Sequence, residues 1–162
     1  MKIEKTILAA GCFWGVEELL RNYTGVIKTQ VGYCGGNKDE ADYNHVKTGK
    51  TEHAEAIYIE FDSEKISYKK LIQAFFKLHD PTTKNQQGND VGRQYRSAIF
   101  YFSDTQKITA EEVKREIQNS GKWAKPIVTE IVLAEPFYNA EDYHQDYLQK
   151  NPNGYTCHFW RD

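Results

Sequence analysis

The apolar residues of this chain change their spacing abruptly at Gly11, and the same kind of change recurs often enough to prescribe an architecture. Lys5 to Ala10 is a short apolar run that reads as a buried strand. From Trp14 the period becomes helical. Val16, Leu19, Leu20 and Tyr23 recur at i, i+3, i+4 and i+7, with Glu17, Glu18 and Arg21 on the other side, until Gly25 stops the helix. Alternation then returns twice. Ile27, Thr29, Val31 and Tyr33 share one face of a strand, and His53 to Phe61 forms another. Ser67 caps a helix striped by Tyr68, Leu71, Ile72, Phe75 and Phe76. Arg96 to Phe102 reads as a strand, Asp104 to Asn119 as a helix and Ile127 to Ala134 as the last strand. A short helix capped by Asn139 runs to about Lys150. Lys38 to Glu52 and Thr82 to Gln94 have no apolar period and read as long polar loops. The first six elements follow the split βαβ order. The expected fold is therefore α+β: a ferredoxin-like α/β sandwich with a mixed, mainly antiparallel sheet, extra helices and long loops. Neither a repeat nor a linker interrupts it, so one domain is expected over residues 1–162.

Charge and cysteine usage narrow the possible functions. The formal net charge is -2, with Lys and Arg scattered along the chain, so neither a nucleic-acid footprint nor a polybasic membrane patch is expected. The apolar run after the N-terminus is too short for a signal peptide or a membrane span. A soluble cytoplasmic monomer is the expectation. The three cysteines, Cys12, Cys34 and Cys157, are an odd number, and no Cys-x-x-Cys occurs. That signals neither a disulfide scaffold nor a zinc knuckle nor a thioredoxin-type dithiol, and no metal or bound cofactor is expected. What remains is isolated thiols in a reducing compartment, each either a small buried hydrophobe or a reagent.

Cys12 has the setting of a reagent. Gly11-Cys12-Phe13-Trp14-Gly15 lies where a strand passes into a helix. Unpaired N–H groups and the macrodipole at a helix N-terminus favour an anion, and cysteine pKa values fall there. The flanking glycines let backbone or substrate approach closely, and Phe13 and Trp14 supply a pocket wall or a core plug. A buried cysteine at a tight corner fits the same residues. Glu55 adds chemistry to the picture. By period two it shares a strand face with Ile57, Ile59 and Phe61, so desolvation should raise its pKa and keep it protonated near neutrality. A glutamate on the wet start of that strand is the plainer alternative. A neutral acid beside a thiolate makes a coherent pair, one donating a proton while the other attacks.

Around these residues the chain resembles the peptide methionine sulfoxide reductase A family. Gly11-Cys12-Phe13-Trp14-Gly15-Val16-Glu17 is similar to that family's signature. The likeness continues through Val31-Gly32-Tyr33, Gly35-Gly36 and His53-Ala54-Glu55-Ala56, and takes in Gln87-Gly88-Asn89-Asp90 and Gln94-Tyr95-Arg96-Ser97-Ala98. Tyr143-His144-Gln145 and Asn151-Pro152-Asn153-Gly154-Tyr155 complete it, so it spans nearly the whole chain. The resemblance implies reduction of S-epimer methionine sulfoxide, free or peptide-bound. Cys12 would attack the sulfoxide sulfur and become a sulfenic acid, and Glu55 would protonate the departing oxygen. Tyr43 and Tyr95 would hydrogen-bond that oxygen, Phe13 and Trp14 would hold the methyl group, and Asp90 would bind substrate. Tyr43 is assigned by spacing, because Asp39-Glu40-Ala41-Asp42 replaces the family's usual lead into it. Glu52 stands in place of a glycine and, if close, would raise the pKa of Glu55 further. Cys34 stands in place of a small residue.

A sulfenic acid needs a reductant, commonly a second cysteine whose disulfide passes to thioredoxin or another dithiol. Cys157, in a tail expected to be flexible, resembles the family's resolving position, with Cys34 as rival or relay. Two other functions fit parts of the pattern. One is a cysteine hydrolase or amidase pairing Cys12 with His53 or His144, and the other a non-catalytic module that binds oxidised-methionine peptides. His144 and His158 match no metal-ligand spacing.

Overall fold

A computed structural model describes residues 1–161. Six strands form one sheet in the order β7-β6-β1-β3-β2-β8. These are β1 (Ile3–Ala10), β2 (Val26–Cys34), β3 (Ala54–Asp62), β6 (Ser97–Tyr101), β7 (Glu130–Leu133) and β8 (Phe137–Asn139). β1 runs antiparallel to both β3 and β6, and β2 is antiparallel to β3. This is the central four-stranded order that two split βαβ units require. β7 joins β6 in parallel after the crossover helix α4 (Asp104–Asn119), and β8 pairs with the end of β2. The ferredoxin-like α+β sandwich expected from the period changes is thus present, widened by one strand at each edge.

The helices cover one face. α1 (Phe13–Leu20) and α3 (Tyr68–Lys77) contribute Phe13, Val16, Leu20, Leu71, Phe75 and Phe76 to the main core. α4 adds Ala110 and Val113, and the sheet answers with Leu8, Val31, Tyr33, Ile57, Ile59 and Phe61. The other face carries a smaller cluster containing Ile7, Ala9, Cys34, Ala54, Ala56 and Phe100. Because successive strand residues point to opposite faces, Tyr33 and Cys34 belong to different layers. Ser67 caps α3 as read, accepting the Lys70 N–H at 3.1 Å.

Several elements differ from the sequence reading, each for a local reason. α1 stops at Leu20 and is followed by turns, Tyr23 N–H to Leu20 and Val26 N–H to Tyr23, so the helical stripe outruns the helix. A bulge between Val26 and Lys28 turns Ile27 out to 50% exposure, away from the face it was expected to share. The first polar loop contains a 3-10 turn at Lys38–Glu40 and the short helix α2 (Tyr43–Val46), and Asp42 caps α2 by accepting the His45 N–H. The second holds a small hairpin, β4 (Gln86–Gln87) with β5 (Asp90–Val91), then a 3-10 turn at Arg93–Tyr95. Asn139 ends β8 and caps no helix. The chain after it makes a 3-10 turn at Asp142–His144, passes through left-handed Asp146 (φ 55°), and only then forms α5 (Tyr147–Lys150). Side-chain bonds replace helical ones there. The Gln145 amide accepts the Val31 N–H and donates to the Val31 carbonyl, each at 2.9 Å, strapping this segment to β2.

Ile59→Ala should cost about 2–5 kcal/mol, because Ile59 is fully buried and the cavity cannot collapse between sheet and helices. Ser67→Ala should cost about 1 kcal/mol. Urea unfolding midpoints at unchanged slope would check both.

Candidate active site

Cys12 stands between β1 and α1. Gly11 turns the strand with φ 95°, Cys12 occupies the N-cap position, and α1 begins at Phe13. Opposite it, Tyr33 on β2 pairs with Glu55 on β3, which puts the Glu55 carboxyl on the helix-covered face. Its Oε1 accepts the Phe13 N–H at 3.2 Å, so one carboxylate oxygen fills the orphan donor at the start of α1. Glu55 is 2% exposed, and burial pushes its carboxyl up to about 8. Asp90 adds to the rise and the Phe13 N–H opposes it. The expectation of a neutral acid therefore holds, with Asp90 as the neighbouring charge that acts on Glu55. Glu52 is exposed and plays no part in the shift.

The thiolate expectation for Cys12 is overturned. At 7% exposure its thiol lies well above the ordinary range. Burial is the main cause, the Glu55 charge adds to it only above about pH 8 where that acid ionises, and the Trp14 N–H that favours the anion is outweighed. A helix of eight residues cannot offset the removal of a sulfur anion from water. Cys12 is a thiol facing a neutral acid.

A pocket of about 200 Å³ collects Cys12, Phe13, Trp14, Tyr43, Glu55, Asp90, Tyr95 and Tyr155. Every residue singled out above for attack, proton donation or substrate contact lies on its wall. α2 carries Tyr43, the 3-10 turn after β5 carries Tyr95, and β5 carries Asp90. Burial raises the phenols of Tyr43 and Tyr95, and the nearby acids raise them further, so both remain O–H donors. A larger cavity of about 520 Å³, between α4 and β7, contains no thiol.

Residues the sequence reading did not assign hold this wall in place. Glu141 accepts the Tyr33 hydroxyl at 2.9 Å on one oxygen and the Tyr43 backbone N–H at 3.0 Å on the other. The indole of Trp14 donates to His144 Nδ1 at 3.0 Å, and its ring stacks on Tyr147 with centroids 3.8 Å apart. The Tyr155 hydroxyl donates to Asp90 at 3.2 Å. Only Tyr143-His144-Gln145 and Tyr155 left a sequence signal, as parts of family motifs, with a hydrolase base at His144 the one role expected among them. Glu141 left none, because its partners are over 90 residues away.

The histidines proposed for a hydrolase are otherwise engaged. His53 accepts the Gly36 N–H and donates to the Asn37 carbonyl, and His144 serves Trp14. Among the described residues no imidazole bonds Cys12, and no group of three or more His, Cys, Asp or Glu side chains is placed to hold a metal ion. Cys34 is fully buried on the far face of the sheet, against the Glu135 carbonyl at 3.6 Å. Cys157 is half-buried beside Gly88, on the same side as Cys12. Its tail is packed, contrary to the flexible tail expected, for His158 is 7% exposed and Trp160 meets Tyr23 edge-on at 5.4 Å.

A neutral thiol, a neutral acid and two phenols around a small apolar hollow suit a neutral group whose oxygen becomes basic as its bond breaks. Fold and pocket together define a cysteine-centred enzyme on a ferredoxin-like sandwich. Residues 4–161 match the family described as "Peptide methionine sulfoxide reductase". The chain is 54% identical over 158 residues to the peptide methionine sulfoxide reductase MsrA 1 of Mesorhizobium japonicum, covering 98% of this chain and 90% of that protein. Reduced Mxr1 from Saccharomyces cerevisiae superposes with a TM-score of 0.94 at 39% identity, over 99% of this chain and 93% of that one. Mxr1 in complex with Trx2 superposes at 0.68 and 29% identity, over 99% and 91%. This chain belongs to the peptide methionine sulfoxide reductase family.

Glu55 also sets a pH dependence of folding. Its carboxyl titrates near 8 when folded and near 4.5 when unfolded, so the native state holds the extra proton between those values and loses stability as pH rises through them. Glu55→Gln removes that loss. Its stability relative to the parent should grow from pH 5 to pH 8 in urea titrations, whereas a constant difference would show an ordinary carboxylate.

Proposed function

We propose that this chain reduces the S epimer of methionine sulfoxide, free or in oxidised proteins and peptides, at Cys12. The observation that carries the reading is one small pocket holding a buried thiol, an acid that titrates near 8 and two tyrosines. Phe13 and Trp14 receive the substrate's methyl group, since they are the large apolar walls. Tyr43 and Tyr95 donate their hydroxyls to the sulfoxide oxygen, and Asp90 at the rim orients the substrate backbone. As Cys12 attacks sulfur, Glu55 delivers its proton to the oxygen, whose basicity grows while its bond to sulfur weakens. The bond between Cys12 Sγ and the substrate sulfur then breaks as the protonated oxygen passes to Cys12 Sγ, so methionine leaves with two more electrons and Cys12 is left as a sulfenic acid. Because Cys12 starts as a thiol, its proton leaves as the sulfur bond forms, and it can return to the deprotonated Glu55.

Cys157 then attacks the sulfenic sulfur. An S–S bond forms, the S–O bond breaks and water departs. Cys157 is preferred to Cys34 because Cys34 faces the opposite layer. Thioredoxin or another dithiol reduces the disulfide, a role supported by the relative Mxr1 being seen with Trx2. No bound cofactor enters any of these steps. Three unpaired thiols suit a reducing compartment such as the cytoplasm. The chain works as one domain and as a monomer.

A peptide carrying both sulfoxide epimers, incubated with protein and dithiothreitol, should lose oxygen by mass spectrometry and stop near half conversion. Cys12→Ser should abolish the loss, and Glu55→Gln should slow it by roughly 10²–10⁴-fold. Full conversion would remove the epimer preference, and an unimpaired E55Q would remove the acid.

A further inference from the structure

The glycines flanking Cys12 do not face substrate. A Cβ at Gly11 would come within 2.7 Å of Gln87 Cβ and 3.3 Å of His158 Nε2, and one at Gly15 within 2.5 Å of His158 Nδ1. Gly15 therefore makes room for Thr156 Oγ1 and the imidazole of His158, and Gly11 chiefly for Gln87 with the same imidazole next; His158 lies 148 residues along the chain from Ala10. Its Nε2–H donates to the Ala10 carbonyl, two residues before Cys12, and its own backbone N–H donates to Thr156 Oγ1 at 3.1 Å. The imidazole is buried and pushed down to about 4, so it is neutral, and the proton on Nε2 leaves Nδ1 bare. His158 Nδ1 lies 3.9 Å from Cys157 Sγ, and nothing in the reduction of the sulfoxide uses it.

We infer that His158 is a positioning residue for the resolving step, anchoring the tail in the Gly11–Gly15 notch so that Cys157 stays within reach of Cys12. The inference rests on Cys157 being the resolving cysteine. His158 is adjacent to Cys157 in sequence, and its anchor point is two residues from Cys12. With the imidazole fixed, the neighbouring Cys157 thiol is confined to the surroundings of its anchor. A free tail would spread that thiol over a far larger volume and lower its effective concentration. The step needs no outside reagent: Cys157–SH and Cys12–SOH become the disulfide and water, the oxidant being the sulfoxide already consumed. Methionine is formed before this step, so the anchor affects the second reaction and leaves the first alone.

Rapid-quench mixing of reduced protein with a methionine sulfoxide peptide, in the absence of reductant, separates the two reactions. Methionine is read by mass spectrometry and the loss of two thiols by alkylation. His158→Phe fills the notch without a donor, and His158→Gln keeps an N–H at similar reach. Gly15→Ala displaces the ring together with Thr156 Oγ1, and carries the comparison if H158F does not fold. Expected are unchanged methionine formation in all three, disulfide formation slowed by roughly 10–100-fold in H158F and G15A, and near-parental closure in H158Q. Disulfide formation at the parental rate in H158F and G15A would overturn the inference, as would an equal fall in both steps. A Cys157→Ser protein that still loses two thiols would identify a failure of the resolving assignment itself, whatever His158 does.

Discussion

A carboxyl group held out of water on the core-facing row of a central strand sets the terms for the rest of this molecule. Glu55 occupies a position where period two demands an apolar residue, and its one backbone partner is the first N–H of α1. Had α1 begun elsewhere, the acid would face an uncompensated desolvation cost. Had the strand been an edge, water would keep it ionised. The register of β2 against β3, the turn at Gly11 and the start of α1 at Phe13 are therefore tied to one another through a single accepting carboxyl oxygen.

The same low-polarity setting explains why Cys12 is stored as a thiol. Sequence reasoning gave weight to the helix N-terminus, a real but small effect that falls off within a turn. Burial costs a sulfur anion more than that, and Glu55 opposes it again once ionised. A pocket of neutral donors is then matched to a neutral, polar substrate whose oxygen gathers charge only during reaction, which is when fixed O–H groups contribute most.

Side chains far along the chain keep the wall of the pocket rigid. The segment from Glu141 to Tyr147 gives up a continuous helix so that its side chains reach the sheet and α1. Glu141 holds Tyr33 and Tyr43, His144 and Tyr147 hold the Trp14 ring, Gln145 holds the Val31 backbone, and the Asp146 N–H meets Glu17 at 3.0 Å. Spacing predicts one helix from Asn139 to about Lys150, but these bonds outcompete helical ones before Tyr147 and leave only its end as α5. The missed strand β8 has the same origin, for three residues gain strand character only by pairing with β2.

What local pattern encodes was readable in advance. The split βαβ order, the cap at Ser67 and the span of α4 come from apolar period and side chains that act within a turn of themselves. The placement of Glu55 on a dry face follows from strand alternation, and its neutrality from burial. The outcomes that no local rule reaches are those decided by competition across the fold. The state of Cys12 depended on burial against a helix end, the need for the flanking glycines on side chains from Gln87, Thr156 and His158, and the separation of Cys34 from Cys12 on the side of the pleat that Cys34 took. Each is a balance between groups distant in sequence, and only packing brings those groups together.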